Sequence, residues 1–538
     1  MEDLIAIYSM LSKRRENGTA SFWAVARKLA LGVSLALACQ SALAQVMYRM
    51  RPLGSIPGGC TYTSEFPRPA GLNNAGQVAG QVCKFNTYGG SAPHAFLWKH
   101  DGTPMVDLGA DSSRPSVGTA VNESGLATGY SDSGRGDSFA FISSGDGAPM
   151  TPIYDGLGGN HVESYAINDS GQLTGWASGP SGQFISHAFV WKNDGSPMLD
   201  LGTLGGSQSH GIAINDSGQV TGSSEVSGET HAFVWQNNGQ PMQDLGTLGG
   251  TVEGPFSESI GINSAGQVAG NSSVPGAVFS EHAFFWRNDG SPIQDLGTLG
   301  GRQSIARALN ESGQVVGESD TARRNHSHAF VWLNNGTPMK DLGSFGGLFS
   351  YAFDINFSGQ VTGMAELPGR IDHAYIWRND GTNIHDLNKL IDPTDPLKPY
   401  VILTRGDFIN DESDILAEGD DSRTGLTGLY LVHGTVLKLM PRSLAFGSIP
   451  ITTTSAAKSV AVTNTSSQPV AMTGTTLTGA APGQFAFTDN CGQSLAGHAS
   501  RKFLVSFSPT TKGAKSAKLN VNGGGGGLTV VKLTGTGT

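Results

Sequence analysis

A unit with a period in the forties recurs along most of this chain, and no other feature narrows its fold as far. One sub-motif is an asparagine followed two residues later by Ser or Ala and then Gly; it opens at Asn73, Asn122, Asn168, Asn215, Asn263, Asn310 and Asn356, with an eroded eighth copy, "NDESDILAEG", at Asn410. Successive asparagines lie 49, 46, 47, 48, 47, 46 and 54 residues apart. A second sub-motif, "HAFLW" or a close variant, begins at His94, His187, His231, His282, His328 and His373, and decays to "FAFIS" at Phe139 and "LYLVH" at Leu429. A third, "DLG" or "DLN", begins at Asp107, Asp200, Asp244, Asp295, Asp341 and Asp386. Eight units of about 47 residues thus fill the stretch from about 46 to 440.

Each unit reads as four short strands. In "SHGIAINDSGQVTGSSEVSGETHAFVWQNNGQPMQDLGTL" the apolar residues alternate or cluster in short runs, and glycine-containing turns separate them. No stretch after the N-terminal segment keeps helical apolar spacing for the length that a helix needs. A small sheet of this kind cannot bury both faces alone and must stack on its neighbours, which predicts the blades of a β-propeller. The opening "YRMRPLGSIPGG", Tyr48 to Gly59, looks like the tail of a unit placed ahead of the first asparagine motif, so an N-terminal strand is expected to complete the last blade. The expectation is eight blades, with seven as the alternative if an eroded copy has merged into a neighbour. An open β-solenoid usually has shorter rungs.

The combination of "HAFVW", "DLGTLGG" and "INDSGQVTG" resembles the HAF-type extracellular repeat of exported bacterial proteins over about 390 residues. The resemblance implies export and a repeated β-architecture. It carries no established catalytic residues.

A histidine and an aspartate present once per unit are spread around a ring by construction, whereas a catalytic centre needs unlike groups within hydrogen-bond reach. The repeated His and Asp are therefore read as strand-end hydrogen-bonding groups within or between blades, comparable in role to the structural His and Asp of WD-repeat propellers. Trp98, Trp191, Trp235, Trp286, Trp332 and Trp377 are read as packing between sheets, with ligand stacking on exposed rings as the competing use. Calcium binding by the "NDSG" turns at Asp169 and Asp216, or by the "NDG" clusters at Asn193, Asn288 and Asn379, is not expected. A calcium loop needs several acidic ligands and a closing Glu, whereas Asn and Asp before Gly are ordinary tight-turn residues. The sequence contains no HExxH, GxSxG elbow, P-loop or dinucleotide fingerprint, so neither a catalytic residue nor a cofactor or metal site is assigned.

The net charge of -10 is moderate and spread out, with no basic stripe to follow a phosphate backbone, which argues against nucleic acid. Near the N-terminus, Arg27 and Lys28 precede the apolar run "LALGVSLALA", and "SALAQ" supplies small residues for signal cleavage after Ala44. Residues 1–44 are thus expected to be a signal peptide with a long n-region; an uncleaved anchor or a lipoprotein signal ending at Cys39 are the rival readings. The expected location is outside the cell or on its surface, with the periplasm as an alternative and no membrane span after cleavage. Cys60 and Cys83 are close enough to bridge in an oxidising compartment, two free thiols being the alternative.

The period stops near Met440, which divides the chain into 45–440 and 441–538. The last segment shows about seven alternating strands, the size of an Ig-like β-sandwich. Its "LAFGSI", "VAVTNT", "NCGQSL", "VSFSPTTKG" and "LTGTGT" resemble, in order, the choice-of-anchor D module related to the ASPM, SPD-2 and Hydin group. That family pairs the cysteine of "NCG" with one in an "ASC" stretch; here Arg501 stands in its place, which implies an unpaired Cys491 near Arg501. The expected function is an exported, non-enzymatic binding or scaffold protein, monomeric, for a surface glycan or protein ligand. The competing class is a polysaccharide lyase or hydrolase with a single site on the propeller face, and a convergence of unlike, non-repeated polar residues would favour it.

Overall fold

A computed structural model describes residues 48–538 apart from short internal segments, the longest being 61–66. The expected signal segment 1–44 and Cys491 lie outside the described residues. The remainder is an eight-bladed β-propeller followed by a β-sandwich.

Seven blades are antiparallel four-stranded sheets that follow one another in sequence: 68–107, 116–153, 162–200, 209–244, 257–295, 300–343 and 350–386. The eighth takes three strands from 401–434 and its outermost one from the N-terminus. Tyr48–Pro52 pairs antiparallel with Leu426–Gly434, Met50 opposite Val432. The expected closure therefore holds, and both eroded copies form blades of their own. The first strand of each blade touches the first strand of the next all the way round, so these strands are innermost and line the axis.

Every junction between neighbouring blades holds its own apolar core. Between blades 3 and 4, Ala188, Val190 and Leu201 meet Val220, Phe233, Trp235 and Met242; between blades 8 and 1, Leu416, Leu429 and Leu431 meet Val78, Phe96 and Trp98. Five of the six repeated tryptophans are buried in such junctions, and Trp191 is half-buried. The second strand can lie close against the first because it carries glycine there: a Cβ on Gly222 would sit 1.8 Å from the carbonyl oxygen of His210. Cys60 and Cys83 form a disulfide, their Cα atoms 5.4 Å apart. A short helix, Leu387–Leu390, is capped by the side chain of Asp386.

The sandwich begins earlier than its composition suggests. Leu437–Met440 pairs with Lys458–Asn464, so the boundary lies between Gly434 and Leu437 instead of at 440. The expectation of about seven strands is also too low: sheets of four and five strands pack over a core that includes Phe485, Phe503 and Phe507. Two of the added strands, Phe485–Thr488 and Ser494–Leu495, are too short to show an alternation. Leu437 packs against both the sandwich core and the core of blade 8.

Candidate functional site

The repeated polar residues make joints. In all six blades that carry the pair, histidine Nδ1 meets the aspartate carboxylate of the outermost strand: His94 and Asp107 at 3.1 Å, His187 and Asp200 at 3.0 Å, His231 and Asp244 at 3.0 Å, His282 and Asp295 at 2.9 Å, His328 and Asp341 at 3.0 Å, His373 and Asp386 at 3.1 Å. Each joint lies within one blade. The same carboxylates accept a backbone N–H two residues on, such as that of Gly297 on Asp295 at 2.7 Å, which holds the thin outer strand in place. Burial pulls the carboxyls of Asp107, Asp295 and Asp341 upward, but the histidine and the glycine amide, joined at Asp107 by the Lys84 ammonium, outweigh it and hold all three below the ordinary carboxylate range.

The repeated asparagine does more than make a turn. The side-chain oxygen of Asn215 accepts the N–H groups of Ser217 (3.1 Å) and Gln219 (3.0 Å) within its own loop. Gly218 closes that loop at φ 73°. The side-chain nitrogen then crosses to the next blade and donates to the backbone carbonyl of Asn263, 2.9 Å away. The same bond joins Asn73 to Asn122, and so on through Asn168, Asn263, Asn310 and Asn356 to Asn410, whose own nitrogen donates to the carbonyl of Asn73 at 3.0 Å. Eight asparagines thus close a hydrogen-bonded ring around one mouth of the channel. In the eroded copy Ser413 occupies the glycine position, at φ 65°.

The "NDG" aspartates spend their oxygens inside their own turns, Asp194 on the N–H of Ser196 and Asp289 on that of Ser291. Among the described residues, no group of three or more His, Cys, Asp or Glu is placed to hold a metal ion.

Along the innermost strands the residue four before each asparagine is small (Gly118, Ser164, Gly211, Ser259, Ala306, Ala352, Gly406) except for Pro69, because it packs against the preceding blade. Next to it, the residues five and three before the asparagine face the axis and vary widely from blade to blade. The position five before reads Arg68, Val117, Glu163, His210, Glu258, Ile305, Tyr351 and Arg405 around the ring. Directly opposite on the second strand, eight after the asparagine, stand Tyr130, Trp176, Glu318 and Glu418 among others. Where structure demands the same residue eight times, the sequence supplies it; these positions are free of that demand.

Two walls of this channel carry chemistry. On blade 3 the indole N–H of Trp176 lies 2.9 Å from the Tyr165 hydroxyl and 3.3 Å from Glu163, and the Tyr165 hydroxyl donates to Glu163 at 3.1 Å. Trp176 is flanked by His161 and by His210 of blade 4, ring centroids 6.4 and 5.6 Å away. Burial lowers the His210 pKa against the pull of Glu163 and Glu258, and burial beside Glu163 raises that of Tyr165.

Half a turn away, on blade 7, Phe353 stacks on Tyr351 and lies between the guanidinium groups of Arg405 (4.1 Å) and Arg307 (5.8 Å). Arg307 is held bidentate by Glu318 at 2.6 and 2.7 Å, and Arg405 pairs with Asp407 at 2.5 Å. Burial drives the Asp407 carboxyl up to about 7 despite Arg405, with Glu418 adding to the rise.

The sequence reading missed this set. Its signal was present, as a period-two alternation in which one face of the innermost strand refuses to repeat. Two serine–histidine contacts, Ser138 with His161 and Ser186 with His210, both 3.3 Å, occur at the corresponding junctions of neighbouring blades. His161 and His210 stand seven and five residues before their asparagines, so the two contacts come from different repeat positions, and each ties its own pair of neighbouring blades.

No protein-family model matches the chain, and no curated protein matches it. Among solved structures, TolB from Acinetobacter baumannii is 9% identical over 69% of this chain and 87% of that chain, with a TM-score of 0.31. A prolyl endopeptidase is 9% identical over 84% of this chain and 60% of that chain, TM-score 0.38. The seventh PapD-like domain of human CEP192 is 16% identical over 19% of this chain and 86% of that chain, TM-score 0.17. Likeness at this level says nothing about activity. Among the described residues no helix is long and apolar enough to cross a membrane.

Proposed function

We propose that the protein is an exported, non-enzymatic binding protein of the cell surface or extracellular space, and that it takes its ligand on the axis of the propeller. One observation carries this reading: the axis-facing positions differ from blade to blade while their small, buried neighbours stay alike. In a repeated architecture, the side chains released from a structural duty are the ones free to recognise something. The walls offer aromatic rings with fixed donors and acceptors beside them, a combination suited to stacking on sugar rings while hydrogen-bonding their hydroxyls. A surface glycan is the favoured ligand, and the sandwich serves as spacer or attachment module.

The competing reading is a polysaccharide lyase or hydrolase. It draws support from the convergence of unlike polar groups on the axis and from Asp407, whose carboxyl burial pushes upward toward neutrality despite Arg405. Screening the mature protein against surface glycans, with Trp176→Ala and Phe353→Ala beside it, separates the two. Binding that both variants weaken, with the glycan recovered uncut, supports the binding protein. Cleavage of the glycan that Asp407→Asn abolishes would establish the enzyme, and no binding by any form would remove the axial site.

A further inference from the structure

The residue after six of the eight ring asparagines also has a repeated task, and two blades depart from it. Around the mouth these residues are Asn74, Glu123, Asp169, Asp216, Ser264, Glu311, Phe357 and Asp411. Six of these side chains accept a backbone N–H of the preceding blade: Asp169 accepts that of Glu123 at 3.0 Å, Asp216 that of Asp169 at 3.0 Å, and Asp411 that of Phe357 at 2.7 Å, whereas the Ser264 hydroxyl donates to Glu311. Phe357 has no side-chain acceptor to offer. Its ring is covered instead by a cation from the sandwich, the Lys518 ammonium lying 3.6 Å from the ring centroid. It donates to the Phe357 carbonyl at 2.8 Å and to the Ser312 hydroxyl at 2.9 Å.

We propose that the arc of the mouth built by Ser312, Phe357 and Asp411 is a binding site for primary alkylammonium groups, occupied in cis by Lys518, which thereby helps to key the sandwich onto the propeller. The aromatic face, a carbonyl and a hydroxyl satisfy the ammonium from three directions, and the carboxylates of Asp411 and Glu311 supply the opposite charge. The sandwich surface matches the arc. Lys532 stands directly opposite Lys518 on the neighbouring strand, and Arg442 reaches Glu412 of the propeller. Two lysines side by side repel each other, and Asp411 lies within the field of both. Desolvation pushes the Lys518 amine down to about 8, with Asp411 and Glu311 opposing it, so the group stays cationic at neutral pH.

The site is tested by emptying it and refilling it. Lys518→Ala, titrated calorimetrically with n-butylammonium chloride against sodium chloride at equal ionic strength, should bind the amine saturably, whereas the wild type, its site filled, should not. Adding Phe357→Ser should weaken that binding about tenfold, the size of a partly desolvated cation–π contact. Amine binding that is equal in wild type and Lys518→Ala, or unchanged by Phe357→Ser, would overturn the proposal. Should Lys518→Ala fail to fold, acetylation of the wild type, followed by mass spectrometry, reads the same site. Lys518 should react far more slowly than the exposed Lys512, and Phe357→Ser should speed it; equal rates for Lys518 and Lys512 would refute the key.

Discussion

Replacing Asn215 by alanine removes one link of the asparagine ring and nothing from the apolar core. The side chain is 6% exposed and makes two kinds of bond. Its oxygen satisfies two loop N–H groups, and its nitrogen satisfies the Asn263 carbonyl at 2.9 Å and the Gln219 side chain at 2.7 Å. The Gln219 amide can turn to water, which leaves three backbone groups stranded. At about 1 kcal/mol each, the loss is about 3 kcal/mol. Asn215→Asp isolates the inter-blade part, because it keeps the acceptor for the loop but sets an oxygen against the Asn263 carbonyl, at a cost of about 1 to 3 kcal/mol. Urea denaturation gives both values, and amide exchange should rise at the junction of blades 4 and 5 before it rises elsewhere. If both variants lie within about 0.5 kcal/mol of wild type, the limit for an ordinary surface change, the ring is decoration and the reasoning fails.

The other predictions concern the joints and the charges. A cost of about 1 to 3 kcal/mol would require the histidine to strand a buried partner, but Asp244 and Asp295 are exposed and can turn to water, so His231→Ala and His282→Ala should each cost about 0.5 to 1 kcal/mol; a stable His231 variant that has lost glycan binding would show that the joint is functional instead. Asp295 sits below its ordinary pKa in the folded protein, so its contribution is present above about pH 4 and lost as the pH falls below that. Asp295→Asn should therefore flatten the acid limb of a melting-temperature profile, and an unchanged limb would count against the joint. Glu123 is shifted the other way, up to about 7, by burial and by Asp169, Asp411 and Asp216, so its protonated form favours the fold and stability drains away between about pH 4.5 and 7. Glu123→Gln should raise the melting temperature at pH 8 and leave it alone at pH 4; the reverse order would exclude this mechanism.

How much of this was legible in the sequence depended on whether a residue served one blade or several. Strands and turns are contained within a unit, so spacing alone exposed them; the repeated His and Asp read as hydrogen-bonding groups within or between blades, and their pairing inside one blade came from the structure. The N-terminal strand was legible because "YRMRP" copies the tail of a unit that has no beginning. The ring was half legible: "NDSG" announces a turn, but that its nitrogen reaches the next blade follows from the radius of the closed propeller, which no linear pattern encodes. The axial walls were hidden for the opposite reason. Trp176, Tyr165 and Phe353 vary where everything beside them repeats, and a search for repeated motifs discards variation. Leu437–Met440 was assigned to the propeller because it follows the last repeat without a break in composition, and only its pairing with Lys458–Asn464 places it in the sandwich. The expected closeness of Cys491 to Arg501 falls on a residue outside the described ones; Arg501 itself pairs with Val462.

The central claim is that the two ends of the repeat region meet in one blade. Arg49 and His433 lie directly opposite each other, both exposed, on strands from those two ends. Cysteines placed at both positions, oxidised and mapped by mass spectrometry under non-reducing conditions, should form one intramolecular disulfide in a protein that stays monomeric, since directly paired strand residues fall within bridging distance. Free thiols at 49 and 433, or disulfide-linked dimers, would mean that the ring is open.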